Sequence, residues 1–179
     1  MVSLVSPAVR FESSYRDALK EFDAEGRGEV LAALREHESF ATLVRELDAQ
    51  ADGRDLPKGW VPQSTFWLVG PGDAFIGKVE IRHHLTDALR LRGGHVGYAI
   101  RPTMRRRGYG TAVLSIVLPN CLELGLDRIM VTCDATNDAS QKIIIRNGGE
   151  LEDVIHIDGR AVPTMRFWID VARQARFAI

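Results

Sequence analysis

The sequence has few of the residues that mark disulfide-bonded, metal-binding or membrane-spanning proteins. Two cysteines, Cys121 and Cys133, occur in 179 residues. Both lie in apolar surroundings, so we predict buried thiols rather than a disulfide framework or a metal site. No apolar run approaches the ~20 residues that span a bilayer. The N-terminus has no basic stretch followed by a long apolar one, as a signal peptide has. We therefore expect a cytoplasmic protein without a bound metal.

The chain also lacks a large net charge. Its formal charge is −1, which excludes a strong general attraction to nucleic acid or to an anionic membrane. The charge is nonetheless uneven. Residues 12–54 hold 11 acidic and 6 basic side chains, whereas residues 76–107 hold 8 basic and 2 acidic ones. The length and the 45% apolar content fit a single domain with its own core.

The first half of the chain predicts one short strand, two helices and three longer strands. The short strand is "VSLV", the helices cover residues 12–24 and 39–51, and residues 52–62 form a loop rich in turn residues. The longer strands are "STFWLVG", "AFIGKVEIRHH" and "HVGYAIRP", with "LTDALRLRGG" predicted as a loop before the last.

The second half alternates helices and strands. A helix follows the glycine-containing turn and ends near Leu124, with Pro119 expected to kink it. "DRIMVTCD" is an almost unbroken apolar strand and is expected to be central. The helix "NDASQKIIIRNGG" and a hairpin of "ELEDVIHID" and "AVPTMRFWIDV" complete the chain. We predict an α/β domain with an N-terminal helical segment, residues 1–62, and a core, residues 63–171.

The segment "MRRRGYGTA", residues 104–112, predicts a phosphate-binding turn. A helix N-terminus leaves N–H groups unpaired and carries partial positive charge, and the arginines at 105–107 add to it. Gly108 and Gly110 let a ligand approach the backbone. A P-loop would require a Lys-Ser or Lys-Thr pair, and a dinucleotide fingerprint would require glycine where Val113 stands. The remaining pattern is R-x-x-G-x-G.

Two stretches, "GYAIRPTMRRRGYGTAVL" and "VTCDATNDASQKIIIRNGG", resemble the GNAT superfamily of acetyl-CoA-dependent N-acetyltransferases. "GWVPQSTFWLV" and "RGGHVGY" are similar to a bacterial subgroup of predicted acetyltransferases. The resemblance spans roughly Phe66 to Val171. It implies a mixed, mostly antiparallel central sheet with a splayed parallel strand pair, flanked by helices. It also implies acetyl-CoA as co-substrate.

The resemblance assigns the cofactor-binding residues. Coenzyme A carries about four negative charges at neutral pH, which the turn's N–H groups and arginines would hold. Backbone of the preceding strand would pair with pantetheine. Asn137 would hydrogen-bond pantetheine, and Ser140 would cap the helix or face the adenosine end; plain helix capping is the alternative for both. The predicted set is Tyr98, Ala99, Ile100, Arg105, Arg106, Arg107, Gly108, Tyr109, Gly110, Thr111, Asn137 and Ser140.

Acetyl transfer to an amine requires a neutral nucleophile, an oxyanion donor and a proton for the departing thiolate. The resemblance implies that the backbone N–H near Ile100 donates a hydrogen bond to the oxyanion. The candidate general bases are His95, Glu80 and His83. Each could instead be an ordinary polar residue of a strand. A chain of water molecules could also deprotonate the amine. In many family members a tyrosine four residues after the motif serine protonates the thiolate. That position is Ile144 here.

We therefore expect an acyltransferase that moves acetyl to a primary amine of a small molecule or peptide. Direct attack in a ternary complex is predicted, because neither cysteine is expected near the acetyl group. The acidic residues 12–54 favour a cationic amine, or form an ordinary solvated face. Trp60, Phe66 and Trp67 line the acceptor pocket or belong to the core. The alternative is a catalytically silent acyl-CoA-binding sensor, which Ile144 favours. Homodimerisation is open.

Overall fold

The computed structural model describes residues 2–31 and 39–175, whose strands form two sheets. The order of the four-stranded sheet is β1-β2-β3-β4, and that of the three-stranded sheet is β5-β7-β6. The strands are β1 Ser3–Val5, β2 Gln63–Gly70, β3 Ala74–Arg82, β4 Val96–Ile100, β5 Arg128–Asp134, β6 Gly149–Ile155 and β7 Thr164–Asp170. The helices are α1 Glu12–Ala24, α2 Phe40–Ala51, α3 Asp87–Leu91, α4 Tyr109–Glu123, α5 Asp138–Arg146 and α6 Val171–Ala175.

Every assigned strand pair is antiparallel. In the first sheet Val79 of β3 pairs with Phe66 on one side and with Tyr98 on the other. In the second, β7 lies between β5 and β6, so the predicted C-terminal hairpin is confirmed. The mixed α/β architecture with antiparallel sheets and flanking helices agrees with the prediction.

The two sheets meet where β4 begins. The His95 N–H donates to the Met130 carbonyl at 2.7 Å, and the Met130 N–H donates to His95 Nδ1 at 2.9 Å. The strand predicted to be central, β5, lies at the edge of its own sheet and next to β4 at this junction. Further along, no ladder joins β4 to β5 among the described residues, and the space between them holds the cavities described below.

Helix α4 supplies much of the core beneath both sheets. Val113, Leu114 and Val117 are fully buried against strands of both sheets. The breadth of its apolar surface predicts burial on more than one face, but Ile116 stays 37% exposed. The helix continues through Pro119, which lies on the exposed side.

A second core of aromatic side chains lies between β2, β3 and the N-terminal helices. Trp67 is fully buried, with its ring 5.0–5.9 Å from four neighbouring rings: Phe11, Tyr15, Phe40 and Phe75. Trp67 is therefore a core residue. Phe66 packs against the other core, and Trp60 is 57% exposed.

One local prediction is wrong in detail. The segment predicted as a loop before β4 contains α3, because Thr86 caps it: the Leu89 N–H donates to Thr86 Oγ1 at 3.2 Å. The predicted first strand is confirmed, since β1 pairs with β2 and extends the sheet. Across residues 2–31 and 39–175, no helix combines the length and apolar character needed to cross a bilayer.

Candidate functional site

The arginine–glycine turn presents a row of unpaired N–H groups. Gly108 is the N-cap of α4 in a left-handed conformation, with φ of 83°, and Arg106 is also left-handed, with φ of 59°. No side chain caps this helix end. Among the described residues, none accepts a hydrogen bond from the six N–H groups between Arg106 and Thr111. With the helix dipole behind it, this end of α4 is suited to an anion.

The two glycines of the turn have different roles. A Cβ at Gly108 would meet nothing within 4 Å, so this position requires glycine for its backbone angle. A Cβ at Gly110 would lie 2.5 Å from Cδ1 of Ile143. Gly110 therefore also lets α5 pack against the start of α4.

A cavity of about 490 Å³, the turn cavity, opens beside this helix end. Ten of the twelve predicted cofactor-binding residues line it; Arg107 and Tyr109 do not. Two unpredicted basic side chains on α5, Lys142 and Arg146, also line it. Their spacing of four residues places them on one helix face and is a signal that the sequence offers. The ten are Tyr98, Ala99, Ile100, Arg105, Arg106, Gly108, Gly110, Thr111, Asn137 and Ser140.

Acidic residues of α1 and its C-terminal end pair with arginines around the turn. Arg105 binds Glu25 through both terminal nitrogens, at 2.9 and 2.8 Å, and donates from Nε to the Ile100 carbonyl at 3.1 Å. Arg101 binds Glu21 at 2.7 Å. Burial raises the pKa of the Glu21 carboxyl, but hydrogen bonds from Arg101 and Thr103 outweigh it and leave the pKa below its usual range. Both carboxylates are thus engaged within the protein.

The peptide groups of β4 alternate between its partner strand and the open side. The Arg82 N–H donates to the His95 carbonyl, and the Arg101 N–H donates to the Ile76 carbonyl. The alternation of an antiparallel ladder then turns the peptide groups of Tyr98 and Ile100 away from β3. They face the space between the two sheets.

The side chain of Tyr98 crosses this space. Its hydroxyl lies 2.9 Å from Ser140 Oγ at the start of α5. Asn137 caps α5, because its Oδ1 accepts from the Ser140 N–H at 3.0 Å. Ile144, four residues after Ser140, is fully buried in the core and does not reach the cavity. The capping role of Asn137 is therefore real, and its side chain still lines the cavity.

A second cavity of about 490 Å³, the β5 cavity, adjoins the first and shares Arg27, Tyr98, Asn137 and Ser140 with it. Its other lining residues are Arg82, Leu89, Arg92, Gly93, Val96, Gly97, Val131, Thr132, Cys133, Asp134 and Thr164. Asp134 is the one carboxylate among the described residues that line either cavity.

None of the three candidate bases lines either cavity. Glu80 Oε2 lies 3.9 Å from a Cβ built on Gly97, and Glu80 Oε1 accepts from Lys78 Nζ at 2.5 Å. His83 forms a hydrogen bond of 2.8 Å with Ser64 through Nε2. Burial, and then the neighbouring His84, lowers the pKa of His83.

His95 is a structural histidine in this geometry. It is 7% exposed, and its Nδ1 accepts the Met130 N–H described above, so that nitrogen carries no proton. Burial, followed by the charges of Arg90 and Arg82, lowers its pKa to about 4. The neutral ring joins the two sheets through the hydrogen bond that its Nδ1 accepts. It is therefore poorly placed to accept a proton from an amine.

Cys133 lies closer to the site than the sequence suggests. It lines the β5 cavity, as Ser140 does. Burial raises the pKa of its thiol to about 11. The expectation that neither cysteine lies near the acetyl group stays a prediction; Cys133 lines a cavity of the candidate site, and its thiol stays protonated at neutral pH. Cys121 is fully buried in the core.

The chain matches the family described as Acetyltransferase (GNAT) domain over residues 18–150, which is more than half of its length. It therefore belongs to the GNAT acetyltransferase family, as its resemblance predicts. A search of curated protein sequences finds no match to this chain.

Solved structures share the fold. RimL, a ribosomal L7/L12 α-N-protein acetyltransferase in complex with coenzyme A, superposes with a TM-score of 0.64 at 11% identity, over 96% of this chain and 94% of that chain. Mutant forms of the spermidine/spermine N-acetyltransferase SpeG from Vibrio cholerae give 0.62 at 14% identity, over 100% of both chains. The microcin C7 self-immunity acetyltransferase MccE, in complex with acetyl-CoA and AMP, gives 0.63 at 13% identity, over 94% and 92%.

Proposed function

We propose that this protein transfers an acetyl group from acetyl-CoA to a primary amine by direct attack in a ternary complex. One observation carries the proposal: Arg106, Gly108, Gly110 and Thr111, whose N–H groups have no partner among the described residues, line a cavity that extends to Tyr98 and Ile100 of β4. RimL and MccE, which share the fold, have coenzyme A or acetyl-CoA bound, and SpeG is a spermidine/spermine acetyltransferase. These neighbours support the donor and the class of acceptor.

The turn holds the pyrophosphate, and α5 adds charge beside it. The N–H groups of Arg106, Gly108, Gly110 and Thr111 donate to the phosphate oxygens, and the side chains of Arg106 and Lys142 pair with them in the turn cavity. Arg105 contributes positive charge, but its hydrogen bonds to Glu25 and Ile100 give it mainly a structural role.

The extended pantetheine arm pairs with β4 as an added strand would. The N–H groups of Tyr98 and Ile100 and the Tyr98 carbonyl supply the donors and the acceptor that its amides need, while the Ile100 carbonyl accepts from Arg105 Nε. The Ile100 N–H is then available to the oxyanion that forms when the amine attacks. Asn137 offers its side-chain N–H groups to the arm while its oxygen caps α5.

Tyr98 stabilises the departing thiolate in place of the missing helical tyrosine. Its hydroxyl, held by Ser140, lies where the two cavities adjoin. Burial raises the pKa of Tyr98 to about 12, so the hydroxyl remains a hydrogen-bond donor throughout the neutral range. The proton that the sulfur finally receives comes from the ammonium nitrogen of the tetrahedral intermediate, which becomes the neutral amide as the C–S bond breaks. The buried Ile144 is therefore no argument for an inactive sensor.

Solvent in the β5 cavity removes the proton from the attacking amine, with Asp134 as the carboxylate at hand. Asp134 is held by Arg160, whose Nη2 donates to its Oδ1 at 2.7 Å. Glu80, His83 and His95 are less suited, because each already binds another group and none lines a cavity. Direct attack is favoured over an acetylated Cys133 because that thiol is protonated at neutral pH.

Two described residues of the N-terminal segment form one wall of the site. Phe22 and Arg27 line the turn cavity, and Arg27 reaches the β5 cavity as well. The acidic residues Glu21 and Glu25 do not supply a free anionic surface there, since arginines of the turn pair with them.

Titration calorimetry with acetyl-CoA tests the donor site. Reversing two charges that line the turn cavity, in Arg106→Glu/Lys142→Glu, is expected to weaken binding at least about 30-fold, since each reversal removes a charged contact of about 1–2 kcal/mol. The matched control, Arg107→Glu, lies outside the cavity and is expected to change the affinity less than about threefold.

A thiol-release assay against a panel of amines then tests the reaction. Release of coenzyme A that depends on an amine establishes the transferase. Tight binding with no release for any amine indicates the sensor instead. No binding of acetyl-CoA by the wild type overturns the proposal.

A further inference from the structure

We propose that the acceptor is a small amine that also carries an anionic group, a carboxylate or a phosphate, which the arginines of the β5 cavity bind. The inference rests on the acetyl transfer proposed above and names its second substrate. It differs from the cationic amine that the acidic N-terminal segment suggests by sequence alone.

The charge of the β5 cavity is the first argument. Among the described residues, three arginines, Arg27, Arg82 and Arg92, line it against a single carboxylate, Asp134, which Arg160 already pairs. Glu80, outside the cavity, lies 3.9 Å from Arg82 and also binds Lys78. The cavity therefore keeps an excess of positive charge, which attracts an anionic ligand and repels a polyamine.

The arginines also have donors to spare. Arg82 donates from Nη1 to the carbonyls of Gly93 and Gly94, at 3.2 and 3.3 Å, which fixes its position. No hydrogen bond from its other nitrogens to a described residue occurs, and the guanidinium groups of Arg27 and Arg92 make none within the described ranges. A planar guanidinium with free N–H groups is the side chain best suited to a carboxylate or a phosphate.

A buried hydroxyl gives an independent indication of a ligand. Thr164 lines the same cavity and is 1% exposed, yet its Oγ1 has no hydrogen-bond partner among the residues described. Buried polar groups without a partner are rare because they cost free energy. Thr164 pairs across the ladder with Asp134, so this hydroxyl lies beside the carboxylate. An acceptor in the cavity would satisfy it.

The two charges of such an acceptor match two ends of the cavity. Arg92 precedes Gly93, whose N–H donates to Thr132 Oγ1 at 2.9 Å. Asp134 lies two residues further along β5, about 7 Å away at the usual strand rise. The anionic group then lies toward Arg82 and Arg92, and the amine lies toward Asp134 and Tyr98. A volume of about 490 Å³ admits a small molecule of this kind.

The test compares matched pairs of amines that differ only in the anion. The pairs are L-alanine with L-alaninamide, L-methionine with L-methioninamide, and phosphoethanolamine with ethanolamine; spermidine is the cationic comparison. Binding of each compound to the coenzyme A complex is measured by ligand-observed NMR, and turnover is measured by thiol release from acetyl-CoA. The amino acid and phosphoethanolamine arms separate the two anions.

We expect an anionic member to bind at least tenfold tighter than its partner. In Arg92→Gln that preference is expected to fall below about threefold. Arg92 is the variant used because it is exposed, whereas Arg82 holds the loop before β4. Thr164→Val, which keeps the side-chain shape, is expected to weaken the binding of the same compound several-fold. Arg45→Gln, at an exposed position on α2, is the matched control and is expected to bind the compounds like the wild type.

The inference is overturned if the neutral partners or spermidine bind as tightly as every anionic member, or are acetylated as fast. It is also overturned if no compound binds. A preference in binding with no acetylation of any compound would leave the anion site standing and overturn the transferase. Equal acetylation of both members of each pair would support the transferase and overturn the anion site.

Discussion

The hydroxyl of Tyr98 and Oγ of Ser140 lie 2.9 Å apart, so a side chain from β4 and one from α5 touch across the space between the two sheets. Both residues line both cavities. Tyr98 of β4 thus supplies a phenol between the two sheets. Position 144 of α5 supplies none, because Ile144 is buried in the core.

Tyr98→Phe removes this hydroxyl and keeps the ring. We expect kcat to fall about 10- to 100-fold, because a hydrogen bond to a developing charge is worth about 1.5–3 kcal/mol. The affinity for acetyl-CoA should change little, since the backbone of β4 is untouched. Tyr109→Phe, at a tyrosine outside both cavities, is the control. An equal loss in both variants, or a loss confined to KM, would contradict the role of Tyr98.

Gly110→Ala is expected to destabilise the fold through one specific contact. The new Cβ would lie 2.5 Å from Cδ1 of Ile143, and overpacking of this kind costs about 1–3 kcal/mol. Adding Ile143→Val removes that methyl group and should recover part of the loss. Urea unfolding of the two single variants and the double variant measures the coupling. Gly108→Ala, strained by its backbone angle alone, should show no recovery with Ile143→Val.

His95 makes stability depend on pH on the acid side. Burial lowers its pKa to about 4 in the folded protein, from about 6.5 when unfolded. Below pH 6.5 the unfolded chain takes up a proton that the folded one does not, so stability is full above pH 6.5 and declines toward pH 4. The slope from this residue is at most about 1.4 kcal/mol per pH unit.

His95→Asn keeps an acceptor for the Met130 N–H and removes the titration. Urea unfolding at pH 7, 6 and 5 should show a smaller decline for this variant than for the wild type. Its acetyltransferase activity at pH 7.5 should remain within a few-fold of the wild type. A collapse of kcat with unchanged stability would instead identify His95 as the base.

Cys133→Ala distinguishes direct attack from transfer through the thiol. Direct attack predicts that kcat stays within about threefold of the wild type, because the group contributes only a neutral, buried contact. Mass spectrometry of the wild type incubated with acetyl-CoA alone should find Cys133 unmodified. Acetylation at Cys133, together with loss of turnover in the variant, would show that a thioester intermediate forms.

The sequence predicts most of the residues that line the turn cavity, because this part of the candidate site is built from the backbone. Unpaired N–H groups at the start of α4 and a left-handed glycine follow from local rules, and Gly108 and the turn arginines are visible in one short segment. Asn137 and Ser140 follow from the same kind of local pattern. The fold class follows from the order of strands and helices.

The reacting groups are harder to predict because they depend on contacts between distant segments. Nothing near His95 in sequence shows that Met130 will occupy its ring nitrogen. The pairing of Glu25 with Arg105 joins residues 80 positions apart, which is why the acidic segment reads as an open anionic surface. The short helix α3 was missed for a local reason, since one capping threonine decides it.

The ion pairs between α1 and the turn have a consequence for the energetics of binding. Glu21 holds Arg101, and Glu25 holds Arg105, on the chain leading into the row of unpaired N–H groups. The turn is therefore braced before a ligand arrives, and little conformational entropy remains to be lost when phosphates dock. Such preorganisation favours affinity. It also makes the stability of α1 part of the affinity for the cofactor, although α1 contributes few atoms to the cavity.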